Sequence, residues 1–309
     1  MEPPCFEPDH NQTSNLKKKL LPPFIYLWML CLLALTSCNP KEQETQKQLL
    51  LKDDLGREIR LSGQPRRVMA LAPSMTEMLF AVLDTTTIVG RTQNDNYPAA
   101  ALGKPVVNNY PMDYEQLLRL KPDLIFTVDG ITPLDVAARL EELGIPVYYQ
   151  KYASVEDVFS GLEDIGRIMG REAQARQLTD SLRLEVAQIA ARHQGQPLRV
   201  LGLAGYDPIY VYGHSTVISD KLRILGAENA VEETFDAMTR EYILKSNPDV
   251  LLGGTPQELE ESFFSIYPEL RKINAYKNQR LHAPNFDLMS RPSPRVVESI
   301  RELEDFLYE

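Results

Sequence analysis

Two carboxylates stand at matched places in a duplicated segment. Residues 113 to 126 read DYEQLLRLKPDLIF and residues 239 to 252 read TREYILKSNPDVLL, and the two align without a gap at an offset of 126. Glu115 coincides with Glu241, Leu118 with Leu244, Pro122 with Pro248 and Asp123 with Asp249, while Arg119 answers Lys245. A second echo opens each copy, RVMALAP from Arg67 and RVLGLAG from Arg199. Two copies at so long a period describe two related lobes rather than a solenoid. One carboxylate per lobe gives a surface of approximate two-fold character, which suits a two-fold-related partner. The chemistry on offer is recognition by arginine, whose fork matches a carboxylate. Each glutamate also falls two residues after a helix cap, Asp113 or Thr239. The helix dipole favours negative charge there whatever the function.

A second set of residues suits ligand binding. In an α/β lobe, ligands meet the loops that leave the carboxyl ends of the strands. The first lobe offers Ser74, the run Thr92 to Tyr97 with Asn94 in it, then Asn109 with Tyr110, and Asp129-Gly130. The second offers Tyr206, the stretch Tyr210 to His214 with Tyr212 in it, Phe235, Thr255, and Asn285 to Arg291. These loops are aromatic and amide-rich with little charge. Rings and amides suit a large, partly apolar ligand that brings its own metal. Neither a resident cofactor nor a protein-held metal is therefore expected. Motifs organised for catalysis are missing: there is no GxSxG elbow, P-loop, dinucleotide glycine fingerprint or HExxH. His193 falls on a long helical stretch and is expected to be solvated. The reading is a binding protein and not an enzyme.

The elements that must position these residues follow from pattern. The chain has 309 residues, 43% of them hydrophobic, enough for two cores of ordinary size. Its formal net charge is −10 and no Lys/Arg cluster lies outside the N-terminus, which argues against nucleic acid as a partner. Leu49 to Leu61 reads as a hairpin turning at Asp53-Asp54-Leu55-Gly56. From Arg67 strand and helix alternate, with Ser74-Met75-Thr76-Glu77 read as a capping box opening a helix through about Val82. Ser154 to Met169 reads as helix. Arg171 to Gln194 follows without Pro or Gly and would be about 36 Å long as one helix. Alternation resumes at Arg199. The expected fold is α/β: two related lobes with mostly parallel sheets (49–153 and 196–309), joined through linking helices (154–195) with a single long α-helix, and a ligand cleft between the lobes.

The N-terminus reads as a targeting segment. Lys17, Lys18 and Lys19 precede an apolar run from Phe24 to Leu35, short for a membrane span, and then Leu35-Thr36-Ser37-Cys38. This resembles a bacterial lipobox, in which residues 1–37 are removed and Cys38 receives a lipid that holds the protein to a membrane face. Residues 38–48 then read as a polar tether. Cys5 and Cys31 leave with the signal, so no disulfide remains.

The sequence as a whole resembles the helical-backbone substrate-binding proteins of bacterial ABC importers, the class that carries vitamin B12, ferric siderophores and heme. The matching residues are RVMALAPSMTEMLFAV near 67 to 82, VG with a following NYP at Val89 to Pro98, MDYEQLLRLKPDLI, LGIPVY, and RPSPRVVESI at 291 to 300. The resemblance implies an extracytoplasmic monomer that docks on a permease dimer through one glutamate per lobe, Glu115 and Glu241. It also implies a metal chelate as cargo. Asn94, Asn109 and Phe235 fall where cobalamin-binding relatives place aromatic residues around the corrin, and two of the three are asparagine here. Tyr110 falls near the place of an axial tyrosine in heme-binding relatives, with His214 as a second donor. Arg291 and Arg295 are the cations available to a ferric siderophore. Cobalamin or a related corrinoid ranks first, ferric siderophore or heme next.

Overall fold

Strand residues of this chain sort by parity into different cores. Val68 and Ala70 face one cluster while Met69 and Leu71 face another; Leu124 and Phe126 likewise oppose Ile125. In the second lobe Val200, Val250 and Leu252 oppose Leu201 and Leu251. Both faces of each sheet are thus covered, as parallel strands require. The computed structural model describes residues 48–193, 197–231 and 238–308. The expected signal segment, the tether through Lys47, Cys38 and Phe235 lie outside them.

An antiparallel hairpin, β1 (Leu49–Lys52) and β2 (Glu58–Leu61), opens the first lobe. Its turn is built as expected, with the Asp53 carboxylate accepting from the backbone N–H of Leu55 and Arg57. Then come β3 (Val68–Ala70), α1 (Pro73–Val82), β4 (Arg91–Thr92), β5 (Val106–Val107), α2 (Tyr114–Leu120), β6 (Leu124–Val128), α3 (Leu134–Glu142) and β7 (Val147–Gln150). β3, β6 and β7 pair in parallel in the order β3-β6-β7. A parallel bridge from Val68 to Ile88 brings the β4–β5 pair to the other edge of β3.

The second lobe repeats this plan. It holds β8 (Arg199–Gly205), β9 (Tyr210–Val211), α6 (Val217–Ile224), β10 (Glu228–Asn229), α7 (Arg240–Ser246), β11 (Val250–Leu252), α8 (Pro256–Glu261), α9 (Phe263–Ile266), α10 (Asn274–Lys277), β12 (Leu281–His282), α11 (Phe286–Ser290) and α12 (Val296–Tyr308). The parallel order β10-β8-β11-β12 mirrors the first lobe, with β9 added antiparallel to β8. The duplicated segments fold alike in detail. Asp113 and Thr239 cap α2 and α7 by accepting from the N–H three residues on, at 2.9 and 3.2 Å. Both helices span 7 residues and end on a left-handed residue, Lys121 (φ 48) or Asn247 (φ 44). Asp123 and Asp249 then accept from the backbone N–H of Arg67 (2.9 Å) and Arg199 (3.1 Å), fixing the start of β3 and of β8.

Between the lobes run α4 (Val155–Met169) and α5 (Glu172–Ala190). A Ser154–Asp157 capping box starts α4, and Gly170 in the left-handed region ends it. The chain then doubles back, so that Thr179 donates to Glu163 at 2.8 Å and Arg183 to the same carboxylate at 2.7 Å. The long helix foreseen over Arg171–Gln194 covers 19 residues, about 28 Å. It is the outer arm of a helical hairpin. Its inner arm α4 carries the more deeply buried face: Val158, Leu162 and Ile165 join a cluster that contains strand residues of both lobes and Ile300 of α12. One core therefore passes through the whole described unit. His193, expected in solvent, is 14% exposed, hydrogen-bonded to Glu304 and stacked on Tyr308.

Candidate functional site

The loops expected to hold a ligand do lie at the carboxyl ends of the parallel strands. β4 ends at Thr92, and the loop after it is folded around Asp95, 2% exposed. That carboxylate accepts from Thr76 Oγ1 (2.7 Å), Thr92 N–H (2.8 Å) and Thr92 Oγ1 (2.7 Å). Asn94 is left exposed at its tip. After β5, Asn109 is fixed to that loop: it accepts from Gln93 Nε2 at 2.7 Å, and its own amide donates to the Leu71 carbonyl at 2.9 Å. Tyr110 beside it is 85% exposed. Ser74 lies on the first turn of α1, 6% exposed.

In the second lobe Tyr206 follows β8 directly, half-buried against Phe263, with its hydroxyl donating to the Gly253 carbonyl at 2.7 Å. Burial raises its pKa, with Glu258 adding to the shift. Tyr212, directly after β9, turns its side chain into the interior. It is 7% exposed, packs against Gly202 in the shared core, and burial pushes its pKa up to about 12. Gly202 leaves the ring its room, since a Cβ there would meet it at 3.1 Å. His214 is exposed. Sequence reasoning passed over two exposed apolar side chains on these same loop ends, Ile131 (55%) and Leu134 (59%), while Phe286, inside the stretch Asn285 to Arg291, is 60% exposed. The available signal was their apolar character in otherwise polar connections.

Where the lobes meet, the structure corrects two expectations. The helix cap of α1 is Ala72, with no side-chain bond, so Ser74 to Glu77 is not a capping box. Glu77 is instead a buried anion, its side chain 1% exposed. Arg295 reaches both its oxygens, at 2.8 and 2.6 Å, and Arg291 donates to Oε1 at 3.0 Å. Arg291 also donates to Asn96 Oδ1 (2.7 Å) and pairs with Asp287 (2.8 Å), while Asn96 Nδ2 donates to Asp287 (2.7 Å). Arg295 lies 4.1 Å over the Tyr97 ring. Arg291 is thus held in an inter-lobe ion cluster rather than presented to a ligand. The contact of Asn96 with Asp287, one from the loop after β4 and one from the segment after β12, brings the carboxyl ends of the two sheets together.

A family model described as periplasmic binding protein matches residues 68–284. The chain belongs to the periplasmic binding protein family. YvrC of Bacillus subtilis (strain 168), named as an ABC transporter substrate-binding lipoprotein, is 28% identical over 304 residues, covering 91% of this chain and 96% of its own. A vitamin B12-binding protein of Yersinia pestis (strain Pestoides F) is 26% identical over 247 residues, covering 77% and 84%. A solved structure from Staphylococcus epidermidis ATCC 12228, described as a possible iron-binding (periplasmic solute-binding) protein, superposes with a TM-score of 0.72 at 29% identity, covering 80% of this chain and 100% of that one.

In this periplasmic binding protein the matched carboxylates are at the surface. Glu115 and Glu241 have side chains 78% and 73% exposed. Glu115 pairs with Arg119 one turn along α2. Glu241 pairs with Arg240 at 3.3 Å, and Arg240 also reaches Glu269 at 3.0 Å. The Glu241 carboxyl is held below its usual range by its own backbone N–H first and by the Arg240 guanidinium next. No helix among the described residues is long and apolar enough to cross a membrane.

Proposed function

We propose that this chain is the binding protein of an ABC importer, held by a lipid on Cys38 at an extracytoplasmic membrane face, and that it carries a metal chelate between its lobes. The observation that carries the reading is the meeting of two duplicated parallel sheets at their carboxyl ends, with amide and exposed apolar side chains on the loops there. The cargo we favour is cobalamin or a related corrinoid. Arg291 and Arg295 are both engaged by carboxylates. They do not offer the unpaired positive charge that carboxylate or catecholate oxygens of a ferric siderophore would require. Exposed Tyr110, Ile131, Leu134 and Phe286 suit a broad, largely uncharged macrocycle face. Glu115 and Glu241 dock the permease dimer through arginines, and the protein works as a monomer that binds without turnover.

Heme is the second reading, favoured by one observation: the Tyr110 ring stands 85% exposed on a cleft loop, accessible as an axial ligand. One experiment separates the cases. Purified protein is titrated with cobalamin, hemin and a ferric siderophore, followed by calorimetry and visible absorption. Cobalamin is expected to bind one-to-one at micromolar Kd or tighter, about −8 kcal/mol or better. Tyr110→Phe should leave that unchanged. Hemin binding with a tyrosinate-type spectrum that Tyr110→Phe abolishes would move the assignment to heme. Binding of a sugar or amino acid, with no chelate bound, would overturn the reading altogether.

A further inference from the structure

We infer that Glu77 is the shared anion of an inter-lobe clasp that fixes the relative orientation of the two lobes before any cargo arrives. One turn of α1 serves both sides. Thr76 holds the loop after β4 through Asp95, at 2.7 Å. The next residue, Glu77, holds the segment after β12 through Arg291 and Arg295. The two held segments then bind each other, Asn96 accepting from Arg291 and donating to Asp287. The links that cross between the lobes are short, and their partners lie about two hundred residues apart in sequence, separations of 191 to 218.

Within the clasp, Glu77 and Asp287 pair with Arg291 and Arg295. Its Glu77 and arginine members are mostly dry: the Glu77 side chain is 1% exposed, those of Arg291 and Arg295 12% and 13%. A buried pair of this kind adds little over apolar packing while intact, but removing one member strands the other charge. It therefore acts chiefly through geometry, by allowing one lobe arrangement and penalising others. Asn96 and Asp287 form its outer, more accessible part; Glu77 with Arg295 forms its inner part. Glu77 is a positioning residue: it touches no cargo loop tip itself. The inference concerns how the lobes are held and stands whether or not the cargo is a metal chelate.

Hydrogen exchange of the full chain, without cargo, tests this amide by amide. The reporters are the N–H groups of Met289 in α11 and of Arg291 just after it, bonded to the carbonyls of Asn285 and Asp287, and Thr92 N–H, bonded to Asp95. Glu77→Gln should speed exchange about tenfold at both places at once, roughly the effect of one lost charge-assisted hydrogen bond, while the strands β6 and β11 stay protected. Asn96→Ala, in an exposed loop of the first lobe, should speed exchange in 286–291 of the second lobe by a smaller factor. If Glu77→Gln unfolds the protein, Asn96→Ala decides alone. Unchanged protection of 286–291 in Asn96→Ala, or loss confined to the first lobe, would overturn the inference.

Discussion

Lys221 is fully buried on α6, and its ammonium sits among three acceptors: the carbonyls of Leu288 (2.9 Å) and Met289 (3.0 Å) and the Ser299 hydroxyl (2.9 Å). It ties α11 to α12 just before Arg291. Burial lowers its pKa to about 7, with Glu302 opposing and Arg295 assisting the shift. The folded state therefore gives up this proton near pH 7, whereas the unfolded chain keeps it until near 10.5. Between those limits the unfolded state binds more protons, so stability rises with pH. The slope contributed is at most about 1.4 kcal/mol per pH unit. Comparing urea unfolding of wild type and Lys221→Met from pH 7 to 9 should show wild type gaining on the variant. The window closes near pH 10.5, where the unfolded lysine loses its proton as well. Parallel curves would mean that the three acceptors keep the lysine charged. For Glu115 and Glu241 the expectation is different in kind. Replacing both by Ala should abolish uptake in cells while cargo affinity and thermal midpoint of the purified protein stay near wild type, since both side chains are exposed. Normal uptake by that variant would reduce them to ornaments of their helix ends. The matched, exposed placement of these two glutamates was legible because they recur in a duplicated segment. Glu77 was misread because a Ser-x-x-Glu spacing looks the same whether the carboxylate turns back to its own helix or reaches a partner more than two hundred residues away. Tyr212 was misread because period-two aromatic spacing does not reveal which face is covered.

Among the elements, the α4–α5 hairpin depends on close approach. A Cβ at Gly166 would lie 2.5 Å from that of Ala175 and 3.1 Å from the Arg171 carbonyl. Neither neighbour is a flexible chain end that could swing aside. Gly166→Ala should therefore force the two helices apart and cost about 1–3 kcal/mol, read as a lowered urea midpoint at unchanged slope. An unaffected midpoint would show that the hairpin relaxes freely. Helices of this chain were well marked in sequence where caps are local: Asp113 and Thr239 each cap the helix that their identity suggested. Strand order in both lobes was implied by alternation but not fixed by it, because pairing partners are set by long-range packing. The length of α5 was overestimated for the same reason: helical composition continues past Ala190, where the described helix ends.

At the scale of the whole molecule, the shared core matters most. Cluster members run from Leu51 in β1 to Leu307 in α12, through α1, α4 and α5. The lobes have private cores on their outer faces only. Lobe motion would have to shear a packed interior as well as part the Glu77 clasp, so any closure on cargo should be small. Thermal unfolding should accordingly show one cooperative transition, with calorimetric and van't Hoff enthalpies equal. Two resolved transitions would mean that the lobes melt independently and that the common cluster carries little energy.

The clasp also bears on how the protein is made. Glu77 emerges from the ribosome more than two hundred residues before Arg295, its bidentate partner. Until α12 is synthesised, the inner face of the first lobe has no Ile300, Leu303 or Leu307 against it, and Glu77 has no cation. Contacts of such high sequence separation form late, because the loop that joins them must be closed before they contribute. A nascent first lobe is therefore left with an apolar face open and a carboxylate unpaired, a state that resists premature folding. Under the proposed extracytoplasmic anchoring, which would have the chain cross a membrane before it folds, that delay would keep it soft until its last helix has passed.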